Sequence, residues 1–371
     1  MAVIKKGRPF ERNMLIVCED TNTAPNYLSP LKDLSISHQC WDYIEIYPKP
    51  PIESEREIAQ AAVNPHKTGR KKRQFETTGN DDEWMTLELE KEYLEQPVCY
   101  VKTAQKALED GSYAEVWAVF DLDGHTGHAR AAALALIPIN GQTVNIAFSS
   151  RSIELWFLLH FGQYGQAFQK TSCKKDDGGR EQHCNVEILC TNEGRGECLS
   201  GFLRRNTLLT NYLKNDTEIY HLLEPHLFEA FQNANWLRSQ YEPNIPFFER
   251  NPYTSMDMLV KRMLRIMIPG DQIQIGGFNL RLEQIFPTIC LVMENCSKKR
   301  QVIRKDHFGV WDQNNVEIEF NFECPKAVWE EGESNPVELR IDYKIEDEQV
   351  IWLKYPKDNE ANFIRIRFTT I

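Results

Sequence analysis

Hydrophobic and polar positions along this chain fall into two regimes. In the first, short apolar runs alternate with longer amphipathic stretches. NMLIVCE (13 to 19) reads as a buried strand ending at Glu19, followed by a turn and a helix with Pro25 at its first position. WDYIEIYP (41 to 48) alternates well enough to be the next strand. After a polar connection from 51 to 83, helical sequence runs from about 84 to 109, interrupted near Pro97. A third apolar run ends at Asp121, and the Ala-rich TGHARAAALALI (126 to 137) is a helix. VNIAFSS (144 to 150) is a fourth strand, and SIELWFLLHFG (152 to 162) a helix capped by Ser152. Strand and helix alternate four times. This order predicts an α/β fold with a mostly parallel sheet and helices on both faces.

The pattern breaks between 165 and 204, where KKDDGGREQH and NEGRGE are loop-like. Helical sequence returns from about 216 to 241 and in TSMDMLVKRMLRIM (254 to 267). Beyond Pro269-Gly270 the second regime begins. NVEIEFNFE (315 to 323), VELRIDYKI (337 to 345), VIWLKY (350 to 355) and NFIRIRF (362 to 368) all alternate with period two. They predict a separate antiparallel β-domain of sandwich type. The expected organisation is an α/β domain over 1 to 268, with a Cys-containing insertion near 165 to 204, and an accessory β-domain over 271 to 371.

A length of 371 residues agrees with two cores. The formal charge is -11 and both halves are mildly acidic, so any contact with nucleic acid must come from a local patch. KTGRKKR offers one through Lys67, Arg70, Lys71, Lys72 and Arg73, although a solvated loop offset by Asp81, Asp82 and Glu83 is the plainer reading. No run of about 18 apolar residues occurs, and MAVIKKGRPFER lacks a signal-peptide core. A cytoplasmic protein without membrane association is expected. The 10 cysteines are then mostly reduced thiols. Cys173, Cys184, Cys190 and Cys198, with His183 nearby, could hold a structural Zn²⁺. None forms a Cys-x-x-Cys pair, so loop thiols remain the simpler alternative.

The chemistry concentrates in VWAVFDLDGHTGH (116 to 128), an apolar run that ends in Asp121 and Asp123. Such a strand delivers two carboxylates to the C-terminal edge of a sheet, where open α/β folds place their sites. A haloacid-dehalogenase-type phosphatase would use the first Asp as nucleophile. It would also need a further acid pair after an apolar strand, yet Asp176-Asp177 has no such strand before it, and Glu19 would be left without a role. A metal site uses every strand-end acid: Glu19, Asp121, Asp123 and Glu154 could converge on one edge and hold Mg²⁺ or Mn²⁺ through oxygen ligands. Solvated helix-start carboxylates are the bland alternative for Glu19 and Glu154. His125 and His128 follow the Asp pair as candidates for proton transfer or as polar helix-start residues.

LIVCEDTNTAPNYL, EVWAVFDLDG, SSRSIELWFLLHF and RNPYTSMDMLV, in this order, resemble the RloB-like family over about residues 13 to 264. The family comprises Toprim-fold proteins of bacterial anti-phage and abortive-infection systems, often encoded beside an ABC-type ATPase. The resemblance implies that Glu19, Asp121 and Asp123 are metal carboxylates, with Glu154 a further catalytic participant and His160 a weaker candidate. Three positions depart from the family pattern. Asp20 stands where Gly is usual, Ala24 where a second Glu is usual, and Ser150-Arg151 where Asn-Pro is common. The expected activity is metal-dependent cleavage of nucleic-acid phosphodiesters, DNA or RNA, by a chain that could self-associate. The alternative from another class is a non-catalytic regulatory or sensor subunit that binds the ATPase or a phage protein.

Overall fold

The computed structural model describes residues 12–47, 96–122, 126–168, 171–172, 198–275, 277–284, 288–312, 316–341, 350–355 and 363–367. The chain divides into two units, Met1–Val260 and Lys261–Ile371.

In the first unit the strands are β1 (Asn13–Cys18), β2 (Tyr43–Tyr47), β3 (Glu115–Asp121) and β4 (Asn145–Ser149). They form one sheet in the order β2-β1-β3-β4, with every neighbouring pair parallel. The chain first steps outward from β1 to β2, then crosses back to β3. That reversal makes the carboxyl ends of β1 and β3 the topological switch point, where a crevice opens between the flanking connections. Register aligns Cys18 with Val119 and Asp121 with Ser149, so the acids that follow these strands share one edge.

The apolar runs explain the sheet. Leu15, Val17, Val116, Ala118, Phe120 and Phe148 alternate onto one face, against Val98, Val101, Ala104 and Leu108 of helix α2 (Gln96–Glu109) and Ala131 and Ala135 of helix α3 (His128–Ala135). Met14, Ile16, Cys18 and Val119 point the other way and are buried as well. Strands buried on both faces are what a parallel sheet requires. Each such Leu, Ile, Val or Phe side chain contributes about 1.5–3 kcal/mol on burial.

Helix α1 (Thr23–Ser37) follows β1, with Pro25 in its first turn and not at its first position. Helix α4 (Glu154–Leu159) is short and entirely buried. Ser152 does not cap it, because the residue before the helix is Ile153 and the Ser152 hydroxyl makes no hydrogen bond. Helix α5 covers Leu199–Asn206. The stretch expected as one helix from 216 to 241 is broken into α6 (Ile219–Leu223), a 3₁₀ turn at Glu224–His226 and α7 (Leu227–Ser239). Pro225 supplies no N–H to continue the first helix, which accounts for the break. Helix α8 is Met256–Leu264, and the residues after it turn into strand β5 (Ile266–Met267) where helix was expected.

The second unit is β-rich. Strands β6 (Gln272–Ile275), β7 (Phe278–Gln284), β8 (Ile289–Asn295), β11 (Phe320–Glu323) and β13 (Ser334–Ile341) form an antiparallel sheet in the order β11-β13-β8-β7-β6. A second sheet runs β10 (Gly309–Trp311), β14 (Val350–Lys354), β15 (Phe363–Arg367), β5. Its β15–β5 pair is parallel, an exception to the antiparallel expectation. Strands β9 (Gln301–Val302) and β12 (Val328–Trp329) make a small ribbon. One core draws Phe278, Leu280, Leu291, Met293, Val337 and Leu339 from the first sheet and Val310 and Leu353 from the second. Of the described residues of NVEIEFNFE, 316 to 323, the last four form the strand. Among the described residues, no helix is long and apolar enough to cross a membrane.

Candidate functional site

Glu19 and Asp20 leave β1 at the switch point. The Glu19 backbone amide continues the parallel ladder by donating to the Val119 carbonyl at 2.9 Å, which fixes the side chain beside the end of β3. Glu19 Oε2 accepts the Asp121 amide at 2.7 Å. Asp121 Oδ2 in turn accepts the amide of Ile153 at 3.3 Å, one residue before Glu154. These two bonds join three connections that lie far apart in sequence, those after β1, β3 and β4.

Asp20 turns toward helix α1 and accepts the amides of Thr23 at 3.2 Å and Ala24 at 3.1 Å. These are amides that a helix start leaves without intrahelical partners, so Asp20 does the work of a capping residue. Ala24 is buried.

Glu154 is 1% exposed. It remains acceptable there because the Tyr212 hydroxyl donates to Oε1 at 3.2 Å and Lys214 Nζ lies 3.9 Å from the same oxygen. Burial and the Glu154 charge push the Tyr212 phenol far above its ordinary range, so it stays protonated and donates. Neither Tyr212 nor Lys214 follows a strand or belongs to a recognisable motif, and no sequence signal pointed to either.

The carboxylates feel one another. Burial raises the Asp121 carboxyl well above the usual carboxylate range, and Glu19, Glu154 and Asp20 raise it further, against an opposing effect of Lys214. Burial is also the largest influence raising Asp20; its hydrogen bonds to Ala24 and Thr23 work against that shift, while Glu154 adds to it. An edge with this surplus of negative charge and all-oxygen donors suits a hard divalent cation in its chemistry. Among the described residues, however, no group of three His, Cys, Asp or Glu side chains is arranged to hold a metal ion. Asp123 lies outside the described residues, as does His125. Of the expected metal set, Glu19 and Asp121 are the described members.

The histidines divide. His128 is buried, and its Nε2 donates to the Asp121 carbonyl at 3.0 Å, so it braces the end of β3 through the backbone. His160 Nδ1 donates to the Trp156 carbonyl at 2.9 Å, and its ring packs against Trp156 and Tyr27. Burial lowers its pKa to about 3, so it stays neutral within an aromatic core.

The basic run Lys67, Arg70, Lys71, Lys72 and Arg73 lies outside the described residues, as do Cys173, Cys184 and Cys190. Cys198 is described: its sulfur caps helix α5 by accepting the Gly201 amide at 3.2 Å.

The RNPYTSMDMLV segment lies against the edge of β4. Ser150 N donates to the Tyr253 carbonyl at 2.7 Å and Ser255 N to the Phe148 carbonyl at 2.8 Å, while the Ser255 hydroxyl accepts the Phe148 amide at 2.9 Å. Two residues further on, the fully buried Asp257 pairs with Arg238 through bonds of 2.5 and 2.8 Å. The motif thus secures the strand that leads into Ile153 and Glu154.

No curated protein matches the chain. Solved structures match over about a quarter of it. The yjhA protein from Bacillus subtilis aligns at 12% identity and a TM-score of 0.22, covering 27% of this chain and 97% of that one. A functionally unknown protein from Listeria monocytogenes EGD-e aligns at 9% and 0.21, covering 27% and 81%. The archaellum periplasmic stator protein FlaG from Sulfolobus acidocaldarius aligns at 10% and 0.18, covering 26% and 100%. Likenesses this slight carry no functional argument. A family model described as RloB-like protein matches residues 14–263. That span starts inside β1, ends inside α8 and takes in the whole acid edge with the segment that braces it, and so the chain belongs to the RloB-like family.

Proposed function

We propose that this protein is a metal-dependent nuclease of the Toprim type that hydrolyses nucleic-acid phosphodiesters in bacterial anti-phage defence. The observation that supports this most is the meeting of Glu19 and Asp121 at the switch point of a parallel sheet, where Glu19 accepts the Asp121 amide and Asp121 accepts the amide of Ile153, the neighbour of Glu154. Glu19 and Asp121, with Asp123, are the residues to hold Mg²⁺ or Mn²⁺. When bound, such a cation supplies activation of water and stabilisation of charge at the attacked phosphodiester. The chain's own contribution is to fix the carboxylates: the Asp121 amide orients Glu19, the Ile153 amide orients Asp121, and Tyr212 orients Glu154. In the overall reaction a water oxygen forms a bond to phosphorus, one ester P–O bond breaks, and the departing sugar oxygen gains a proton. The defence setting and an ABC-type ATPase partner are supported by the family resemblance.

The test is to replace Glu19 by Gln and Asp121 by Asn separately, then to measure Mn²⁺ affinity and cleavage of plasmid DNA, single-stranded DNA and total RNA. Both should lose tight Mn²⁺ binding and cleavage. A folded Glu19→Gln protein that cleaves at the wild-type rate would falsify this reading.

A second reading is a non-catalytic subunit that binds an ATPase or a phage protein. It is favoured by Ala24 in place of the family Glu and by the engagement of Asp20 in capping α1. Wild-type protein with no affinity for Mn²⁺ or Mg²⁺ at the acid edge would select it.

A further inference from the structure

The segment from Tyr212 to Asp216 reaches the acid edge although, among the described residues, it is remote in sequence from the strands that form it. Its backbone is fixed at three points. Arg204 Nε donates to the Tyr212 carbonyl at 2.9 Å, Thr23 Oγ1 to the Lys214 carbonyl at 3.0 Å, and Asn26 Nδ2 to the Asp216 carbonyl at 3.4 Å. Two of these anchors belong to helix α1, which begins just after Glu19 and Asp20. The Tyr212 side chain points inward and bonds the buried Glu154. Two residues later, Lys214 lies 3.9 Å from that carboxylate, an ion-pair distance longer than a hydrogen bond. Its side chain is 48% exposed, whereas Glu154 is 1% exposed. The ammonium therefore sits between the buried Glu154 and solvent, with the Lys214 backbone held in place.

A site that carries several carboxylates repels the phosphates it is meant to attack. A cation held by those carboxylates offsets part of the repulsion, and a lysine at the rim can offset more by meeting a phosphate oxygen directly. We propose that Lys214 is the substrate-phosphate contact of the acid site, pairing with a non-bridging oxygen of the bound nucleic-acid strand. Tyr212 acts beside it as a positioning residue that holds Glu154. This assignment rests on the nuclease reading above and adds the group that binds the substrate. Pairing with one phosphate releases about one condensed counterion, so the contact leaves a signature in the salt dependence of binding.

The experiment uses the full chain, with Lys214→Met, Lys214→Gln and Lys214→Arg beside wild type. Fluorescein-labelled single-stranded DNA and RNA 12-mers are titrated in Ca²⁺ at several salt concentrations. Mn²⁺ affinity and thermal midpoint are measured on the same preparations. Met and Gln should weaken oligonucleotide binding about tenfold and flatten the dependence of log affinity on log salt by roughly one unit. Arg should restore both, and Mn²⁺ affinity should stay within about twofold of wild type. Comparing the DNA and RNA arms shows which strand chemistry Lys214 meets.

Unchanged affinity and salt slope in Met and Gln would overturn the assignment. So would loss of Mn²⁺ affinity in step with oligonucleotide affinity, which would make Lys214 a support for the acids. Failure of the nuclease reading looks different, because wild type itself would then bind neither Mn²⁺ nor oligonucleotide, and the Lys214 assignment would fall with it. Should Met destabilise the fold, Gln and Arg still separate charge from packing.

Discussion

Asp121 is crowded by three other carboxylates, and its negative charge costs free energy when no cation is present. Asp121→Asn keeps an oxygen to accept the Ile153 amide while removing that charge. The metal-free variant should therefore melt about 2–4 °C above wild type at pH 7.5, a shift of order 1 kcal/mol for a domain of this size. The same variant should gain nothing from added Mn²⁺, so that wild type overtakes it once the cation is present. Differential scanning fluorimetry with and without Mn²⁺ checks both halves, and a metal-free variant that melts lower would show the carboxylate to be net stabilising.

His160 gives a prediction of opposite sign. Its folded pKa is depressed from 6.5 to about 3 by burial. Below pH 6.5 the unfolded chain takes up a proton that the folded chain refuses, so stability present above 6.5 is lost as pH falls toward 3, by up to about 1.4 kcal/mol per pH unit. His160→Phe should flatten that decline, as urea melts at pH 7 and pH 5 would reveal. A slope equal to wild type would place the acid sensitivity elsewhere. At this scale the strand-end acids were legible, because an apolar run that stops at an acid marks a sheet edge. Tyr212 and Lys214 were not, since their roles exist only through contacts with Glu154 and Thr23 across long sequence separations.

Elements read from periodicity survived where the apolar pattern was dense, as in β1, β3, β4 and α3. The sequence left open how β4 is supported. Its outer edge is taken by Tyr253 to Ser255, and the start of α8 is fixed by the pair between Arg238 and Asp257. Arg238 is only 14% exposed, so removing the Asp257 carboxylate leaves a largely buried cation that donates to the neutral Thr254 carbonyl and Asn235 side-chain oxygen. Asp257→Ala should cost about 3–5 kcal/mol in urea unfolding, whereas Arg238→Met together with Asp257→Leu should cost less than the single change. Additive losses would show that the pair contributes no coupling. Helix ends were the least legible part. The 216 to 241 stretch has apolar residues throughout, and only Pro225 signals the 3₁₀ interruption. Ser152 looked like a cap from composition alone, and the backbone turn at Ile153 leaves its hydroxyl without that role.

Each of the two units of the chain carries a core of its own residues, Leu15 to Tyr253 in one and Met267 to Tyr355 in the other. Separate cores are the usual sign of units that can fold alone. A chain ending at Arg265, which keeps α8 whole, should remain folded by circular dichroism and retain Mn²⁺ affinity within about twofold, a threshold close to the usual scatter between independent sites. Loss of metal affinity in this folded truncation would assign the second unit a part in the site. The change from helical to alternating sequence near Pro269-Gly270 marked the β-rich part of the chain, and the β5–β15 pairing escaped notice because two residues carry no measurable period.

The bond pattern along β4 also bears on self-association. A parallel sheet normally ends in a row of open amides and carbonyls that can recruit a strand from another chain, the route to swapped dimers and fibrous aggregates. Here Phe148 and Ser150 have that row occupied from within by Tyr253 and Ser255. Copies of this protein cannot lengthen the sheet past β4 without first peeling away the segment that holds the acid edge in shape.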